Sequence, residues 1–90
     1  MTRLDIDELT VGGTVLNVSA WLVMDRVGGF NEWGIRGALM APVEPPDGEA
    51  TITAEGRTFS GRVQLREYQA RLDYLGVGKL DGASDEDYEA

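Results

Sequence analysis

Residues 49–65, EATITAEGRTFSGRVQL, constrain the fold more than any other stretch of this chain. With Glu55-Gly56 placed at a tight turn, the segment pairs as one antiparallel hairpin. Ile52 then faces Phe59, Thr53 faces Thr58, Thr51 faces Ser60 and Glu49 faces Arg62. One face carries Ile52, Phe59, Val63 and Leu65. The other carries Thr, Ser and an opposite-charge pair. Cross-strand pairs of these kinds contribute roughly 0.2–1 kcal/mol each. A loop one residue longer would set Thr51 against Phe59 and mix the two faces, so the pattern selects the register. A β-rich domain with one wet face follows. That Thr/Ser face is either solvated or a seam for another subunit, with Glu49 and Arg62 at its border.

The remaining segments read as further short strands. In residues 3–11, Leu4 and Ile6 alternate, and the pattern resumes at Leu9 and Val11 after a bulge or short break at Asp7 and Glu8. Gly12-Gly13 tolerates positive φ at both turn positions and signals a hairpin. Residues 14–24 put Leu16, Val18, Ala20, Leu22 and Met24 on one apolar face. The other face starts polar and turns apolar at Trp21 and Val23. β-branched content and the preceding glycines favour a strand over a helix here. Residues 25–34, DRVGGFNEWG, read as a loop with aromatic anchors. Residues 35–41 read as a strand in which Gly37 marks a bulge or a close backbone approach. Pro45-Pro46-Asp47-Gly48 is a turn, since Pro presets φ and Gly accepts positive φ. Residues 66–78 alternate as a strand at Tyr68, Ala70, Leu72 and Tyr74, while their composition also suits a short helix near 66–75.

Ninety residues make one small domain, which buries roughly 60% of its unfolded surface. The last decamer, DGASDEDYEA, has no apolar periodicity and five acids, so residues 81–90 read as a disordered acidic tail after a domain at 1–80. Net charge is −8, and without the tail it falls to about −3. Seven Arg and a single Lys are scattered and outnumbered. Phosphate backbones need clustered cations, which argues against nucleic acid as the main ligand. Arg in preference to Lys favours fixed pairing with carboxylates. There is no Cys and no His. Disulfides and thiolate metal sites are excluded, and the commonest general base is missing. No apolar run approaches the ~20 residues of a membrane span, and no secretory signal is visible, so no membrane role is expected.

Each chemistry-bearing group has a plain structural reading beside a functional one. Asp5 with Asp7, and Glu44, Asp47 and Glu49, are carboxylate sets that acid–base catalysis would need buried; on a solvated face they are only surface acids. Ser19 and Ser60 have no His to act as base. Asp85, Glu86 and Asp87 lack the spacing of a calcium loop. Tyr68 and Tyr74 with Arg66 and Arg71 resemble a base-stacking surface, which the net charge opposes. The expectation is a protein without catalytic, metal or cofactor sites. GGFNEWGIRG offers the best partner surface, with Phe30, Trp33, Ile35 and Arg36 as the candidate protein interface. Aromatic and Arg residues are the types that anchor such contacts. The competing reading is that Trp33 closes one end of a small sandwich.

One longer run carries a resemblance. LNVSAWLVMDRVGGFNEWGIRGALMAP places Ala20-Trp21 and Val23 before a loop, then Arg36-Gly37, then Pro42 and Asp47-Gly48. This resembles the N-terminal β-domain of distal-tail and minor-tail proteins of long-tailed phages, especially those of actinobacteria. It covers about half the chain. The Val27-Gly28-Gly29-Phe30 loop and the acidic tail depart from that pattern. The resemblance implies a β-sandwich acting as a structural virion component through contacts with copies of itself or with other virion proteins. Trp21 and Arg36 would then serve folding or subunit contacts.

The expected architecture is a single all-β domain, a small antiparallel sandwich or partly open barrel of six to seven strands. Its expected core is Leu4, Ile6, Leu16, Val18, Ala20, Leu22, Ile52, Phe59, Val63 and Leu72. The expected function is non-enzymatic assembly, in a phage tail or head–tail connection, which places the protein in a virion. One alternative is a small acidic adaptor or inhibitor binding a basic host partner in a bacterial cytoplasm. The other is a module for single-stranded nucleic acid.

Overall fold

Tight turns organise the structure, a computed structural model that describes residues 1–89. Gly12-Gly13, Gly28-Gly29 and Glu55-Gly56 each hold positive φ at both positions. Turns of this geometry twist with the strands they join. They connect β1 (Thr2–Val11) to β2 (Thr14–Leu16), β3 (Val18–Val27) to β4 (Phe30–Leu39), and β5 (Gly48–Ala54) to β6 (Arg57–Glu67). β7 (Leu72–Asp81) and a short helix α1 (Asp85–Glu89) complete the described residues.

All strand pairings are antiparallel, in the order β2-β1-β3-β4-β7-β6-β5. β1 also pairs with β5, which closes six strands into a barrel and leaves β2 outside it. Closure removes the unpaired edges that an open sheet exposes. The β5–β6 hairpin has the register its pattern selects: Ile52 opposite Phe59, Thr51 opposite Ser60, and Glu49 opposite Arg62. Arg62 Nε lies 3.9 Å from Glu49 Oε1 at the border of the wet face. In β1 the ladder slips by one residue, since Ile6 pairs with Ala54 but Glu8 with Thr53. That bulge restores the phase, so Leu4 and Ile6, then Leu9 and Val11, all turn toward the core.

Of the expected core, Leu16, Ala20, Leu22, Ile52, Phe59, Val63 and Leu72 are buried. Leu4, Ile6 and Val18 pack at its margin. The largest interior groups, Trp33 and Tyr74, come from segments whose strand phase the pattern left open. Trp33 fills the barrel beneath β6 and β7. A Cβ at Gly76 would lie 2.3 Å from its indole, and one at Gly61 2.7 Å from it. Two missing side chains thus make room for one large one. The indole N–H donates to Gly78 O at 2.9 Å, in a stretch where β7 bulges away from β6. The Tyr74 hydroxyl donates to Pro46 O at 2.7 Å and pins the β4–β5 crossover. Burial, and then the charge of Asp47, push this phenol well above its ordinary range.

Three expectations need correction. Residues 25–34 are a hairpin, because Gly28-Gly29 supplies the same turn as Gly12-Gly13 and lets both flanks continue as strands. Residues 66–75 form neither a helix nor one strand. β6 ends at Glu67 and β7 begins at Leu72, so the Tyr68–Tyr74 alternation straddles a turn. The acidic tail is ordered over residues 85–89 as α1. Ser84 precedes the helix, and Asp87 Oδ2 accepts from its backbone N–H at 2.8 Å. The Asp87 backbone N–H returns a bond to Ser84 O at 3.1 Å, so donors on both sides of the helix start are satisfied. Tyr88 is buried against the barrel, which supplies the apolar contact that the composition hides. Gly37, by contrast, is the close approach that the sequence suggests: a Cβ there would meet Ser19 O at 2.3 Å.

Candidate functional site

The four residues expected as an interface do not share a surface. Trp33 and Ile35 point into the barrel and are buried. Phe30 and Arg36 point outward from the same strand. Six residues separate them, roughly 20 Å at strand rise. Phe30 is 75% exposed at the β3–β4 turn, opposite half-exposed Val27. Arg36 sits instead in a groove near the far end of β4.

That groove is an open concavity of about 770 Å³ on the outer wall. Cross-strand pairing builds it: Asp5, Trp21, Arg36 and Asp73 stand opposite one another in a row over β1, β3, β4 and β7. Ser19, Gly37 and Ala38 form a floor of small residues, and Arg71 stands at the β6–β7 turn. Arg3 stacks its guanidinium 3.8 Å from the Trp21 ring centroid, which holds the indole upright. Arg36 Nε is 3.8 Å from Asp73 Oδ1, and Arg71 Nε is 3.8 Å from Glu67 Oε2. These single contacts at long range leave most N–H groups of both guanidinium forks facing solvent; the two side chains are 66% and 72% exposed. Chemically the groove offers an aromatic wall and two cationic forks. That combination suits carboxylates carried by an extended or convex partner.

A second feature lies at the opposite end of the barrel. α1 packs on β3 and β1. Arg57 grips Asp87 with both terminal nitrogens, at 3.0 and 2.8 Å, and also donates to Gly82 O. Arg26 pairs with Glu89. The Arg57 hydrogen bonds, followed by that from the Ser84 backbone, hold the Asp87 carboxyl far below the usual carboxylate range. Asp85 and Glu86 project into solvent beyond these clamps.

No family, curated protein or solved structure matches this chain. One member of each carboxylate set, Asp7 and Asp47, is spent on the backbone. Asp7 accepts from the Glu55 N–H, Glu55 accepts from the Asp5 N–H, and Asp47 accepts from the Leu65 N–H. Tyr74 is buried, so Tyr68, Tyr74, Arg66 and Arg71 do not make the stacking surface that their spacing suggests. Among the described residues no acidic group is arranged to hold a metal ion, and no helix is long and apolar enough to cross a membrane. The sequence reading missed the clamps Arg26 and Arg57, and it set Arg71 beside the tyrosines and not in this groove. The clamps had a legible signal, because Ser84-x-x-Asp87 is a helix-start pattern. The groove had half of one, in Trp21 on the less apolar face of its strand. Its pairing with Arg36 and Asp73 is visible only once the strand order is known.

Proposed function

We propose that this chain is a non-enzymatic assembly protein that works through protein–protein contacts, as a virion component of a phage tail or head–tail connection. The observation that carries the reading is the groove: Trp21 stacked under Arg3 and flanked by Arg36, with Arg71 across a small-residue floor. A rigid closed barrel presenting an aromatic and cationic surface is suited to docking, because little entropy is lost in ordering it. The resemblance of residues 16–42 to tail-protein β-domains supplies the virion context. Sedimentation velocity over a range of concentrations, together with mass spectrometry of purified particles, tests it. Self-association or recovery in particles is expected. A chain that stays monomeric and is missing from particles sinks the reading.

A second reading has its own observation. Asp85 and Glu86 form an exposed acidic pole beside α1, which would suit an adaptor that binds a basic partner. Capture of one host protein that Asp85→Asn/Glu86→Gln releases, with no self-association of the chain, would favour it over assembly.

A further inference from the structure

We propose that the groove of one copy receives the acidic α1 pole of a second copy, with Asp85 and Glu86 of the pole meeting Arg36 and Arg71 of the groove. The inference rests on the assembly reading above and adds both halves of the seam and its polarity.

Charge complementarity carries it. Of the acids in α1, Asp87 is committed to Arg57 and Glu89 to Arg26. Asp85 and Glu86 are exposed and make no ion pair among the described residues. The groove shows the reverse condition. Arg36 and Arg71 are exposed cations whose contacts with Asp73 and Glu67, at 3.8 Å, are too long for hydrogen bonds. Neither guanidinium makes a side-chain hydrogen bond among the described residues. Each surface thus holds unspent valence of the kind the other supplies. A guanidinium fork meeting a carboxylate at normal hydrogen-bond distance is the stronger arrangement.

The fold prevents one copy from satisfying itself. The groove is lined by Ser19 and Trp21, in the first half of β3, whereas α1 is clamped by Arg26 near its end. Seven strand residues separate Ser19 from Arg26, roughly 23 Å at strand rise. The barrel is closed by strand pairing and cannot fold one end onto the other. The contact therefore joins two copies, groove to pole. Used once per copy it is heterologous and extends into a ring or filament; used reciprocally it gives a two-fold dimer.

The net charge of −8 gives the seam a distinctive salt response. At about 0.01 M salt the screening length is roughly 30 Å and whole-molecule repulsion opposes association. Near 0.1 M it is about 10 Å, so distant repulsion is screened while contacting pairs persist. Near 1 M the pairs weaken as well. Association should pass through a maximum at intermediate salt.

The test uses the full chain in sedimentation velocity at about 0.1 M salt, where contacting charges still act. Arg36→Gln/Arg71→Gln should weaken self-association by about tenfold or more, and Asp85→Asn/Glu86→Gln should do the same. Both pairs are exposed, and circular dichroism confirms that each variant folds. Mixing the two variants should restore one intact seam and yield a 1:1 dimer with nothing larger. Wild-type self-association that either variant leaves undiminished, or a mixture that forms no dimer, overturns the seam and leaves the assembly reading standing. A wild-type chain that is monomeric throughout overturns the seam, and one that is also missing from purified particles overturns the assembly reading with it.

Discussion

Single residues decide whether this barrel can be filled. Trp33 occupies space that Gly61 and Gly76 vacate, and its own carbonyl lies 2.5 Å from where a Gly76 Cβ would stand. Backbone at that distance cannot yield as a side-chain tip would. Gly76→Ala should therefore cost about 3 kcal/mol or more, the upper range for overpacking, read as a lower urea midpoint at unchanged slope. Phe59 marks the other extreme of the same logic. Phe59→Asp buries an unpaired carboxylate in the apolar interior, at a cost comparable with the whole stability of such a domain, about 5–15 kcal/mol. Loss of the folded near-ultraviolet circular dichroism signal is expected. Thr53→Lys, on the outer face of the same hairpin, should stay within about 0.5 kcal/mol of the parent. If it also leaves the sedimentation profile untouched, the Thr/Ser face is only solvated.

At the scale of elements, α1 is the one that local pattern alone undersells. Five residues do not hold a helix in water, because nucleation exceeds what a single turn returns. The Asp87 carboxylate ties its first turn back to the Ser84 N–H, Tyr88 anchors it in the core, and Arg57 and Arg26 clamp it from β6 and β3. Arg57→Ala should free α1 and leave the barrel folded. Hydrogen exchange of the residue 85–89 amides should lose protection while β-strand amides keep theirs. The pH response has a definite sign. The folded pKa of Asp87 lies below its unfolded value near 4, so the stabilisation is complete above pH 4. It is lost only as pH falls toward the folded value. Protection of α1 should hold from neutral pH to about 4 and fade below; a loss near pH 6 would contradict the clamp.

At the scale of the molecule, the decisive contact is between the first strand and the fifth. β1 pairs with β5 across about forty residues of chain or more, and β4 pairs with β7 across 35 to 41. Closing such loops costs entropy before the contacts form. Barrels of this kind fold in milliseconds to seconds. Stopped-flow fluorescence of Trp33, isolated by Trp21→Phe, should relax in that window, and an amplitude lost wholly within the dead time would contradict the closed topology. The same closure sets the character of the surface. It leaves no long strand edge for pairing, so docking falls to side chains on the outer wall, and the row Asp5, Trp21, Arg36 and Asp73 is the clearest product of it.

The sequence by itself determined what depends on neighbours along the chain. The β5–β6 register, an interruption at Asp7-Glu8, the Gly12-Gly13 turn and a special backbone at Gly37 are all set within one strand or one hairpin. Alternation and φ preference act over a few residues. The tertiary structure alone decided how the strands are ordered around the barrel. That order turned Trp33 and Ile35 inward, folded 66–75 into a turn between strands and ordered an acidic tail on two arginines. It also brought Trp21, Arg36, Asp73 and Arg71 into one groove. These outcomes rest on contacts between residues distant in sequence. No local period encodes them, because they exist only after long loops have closed and apolar faces have found one another.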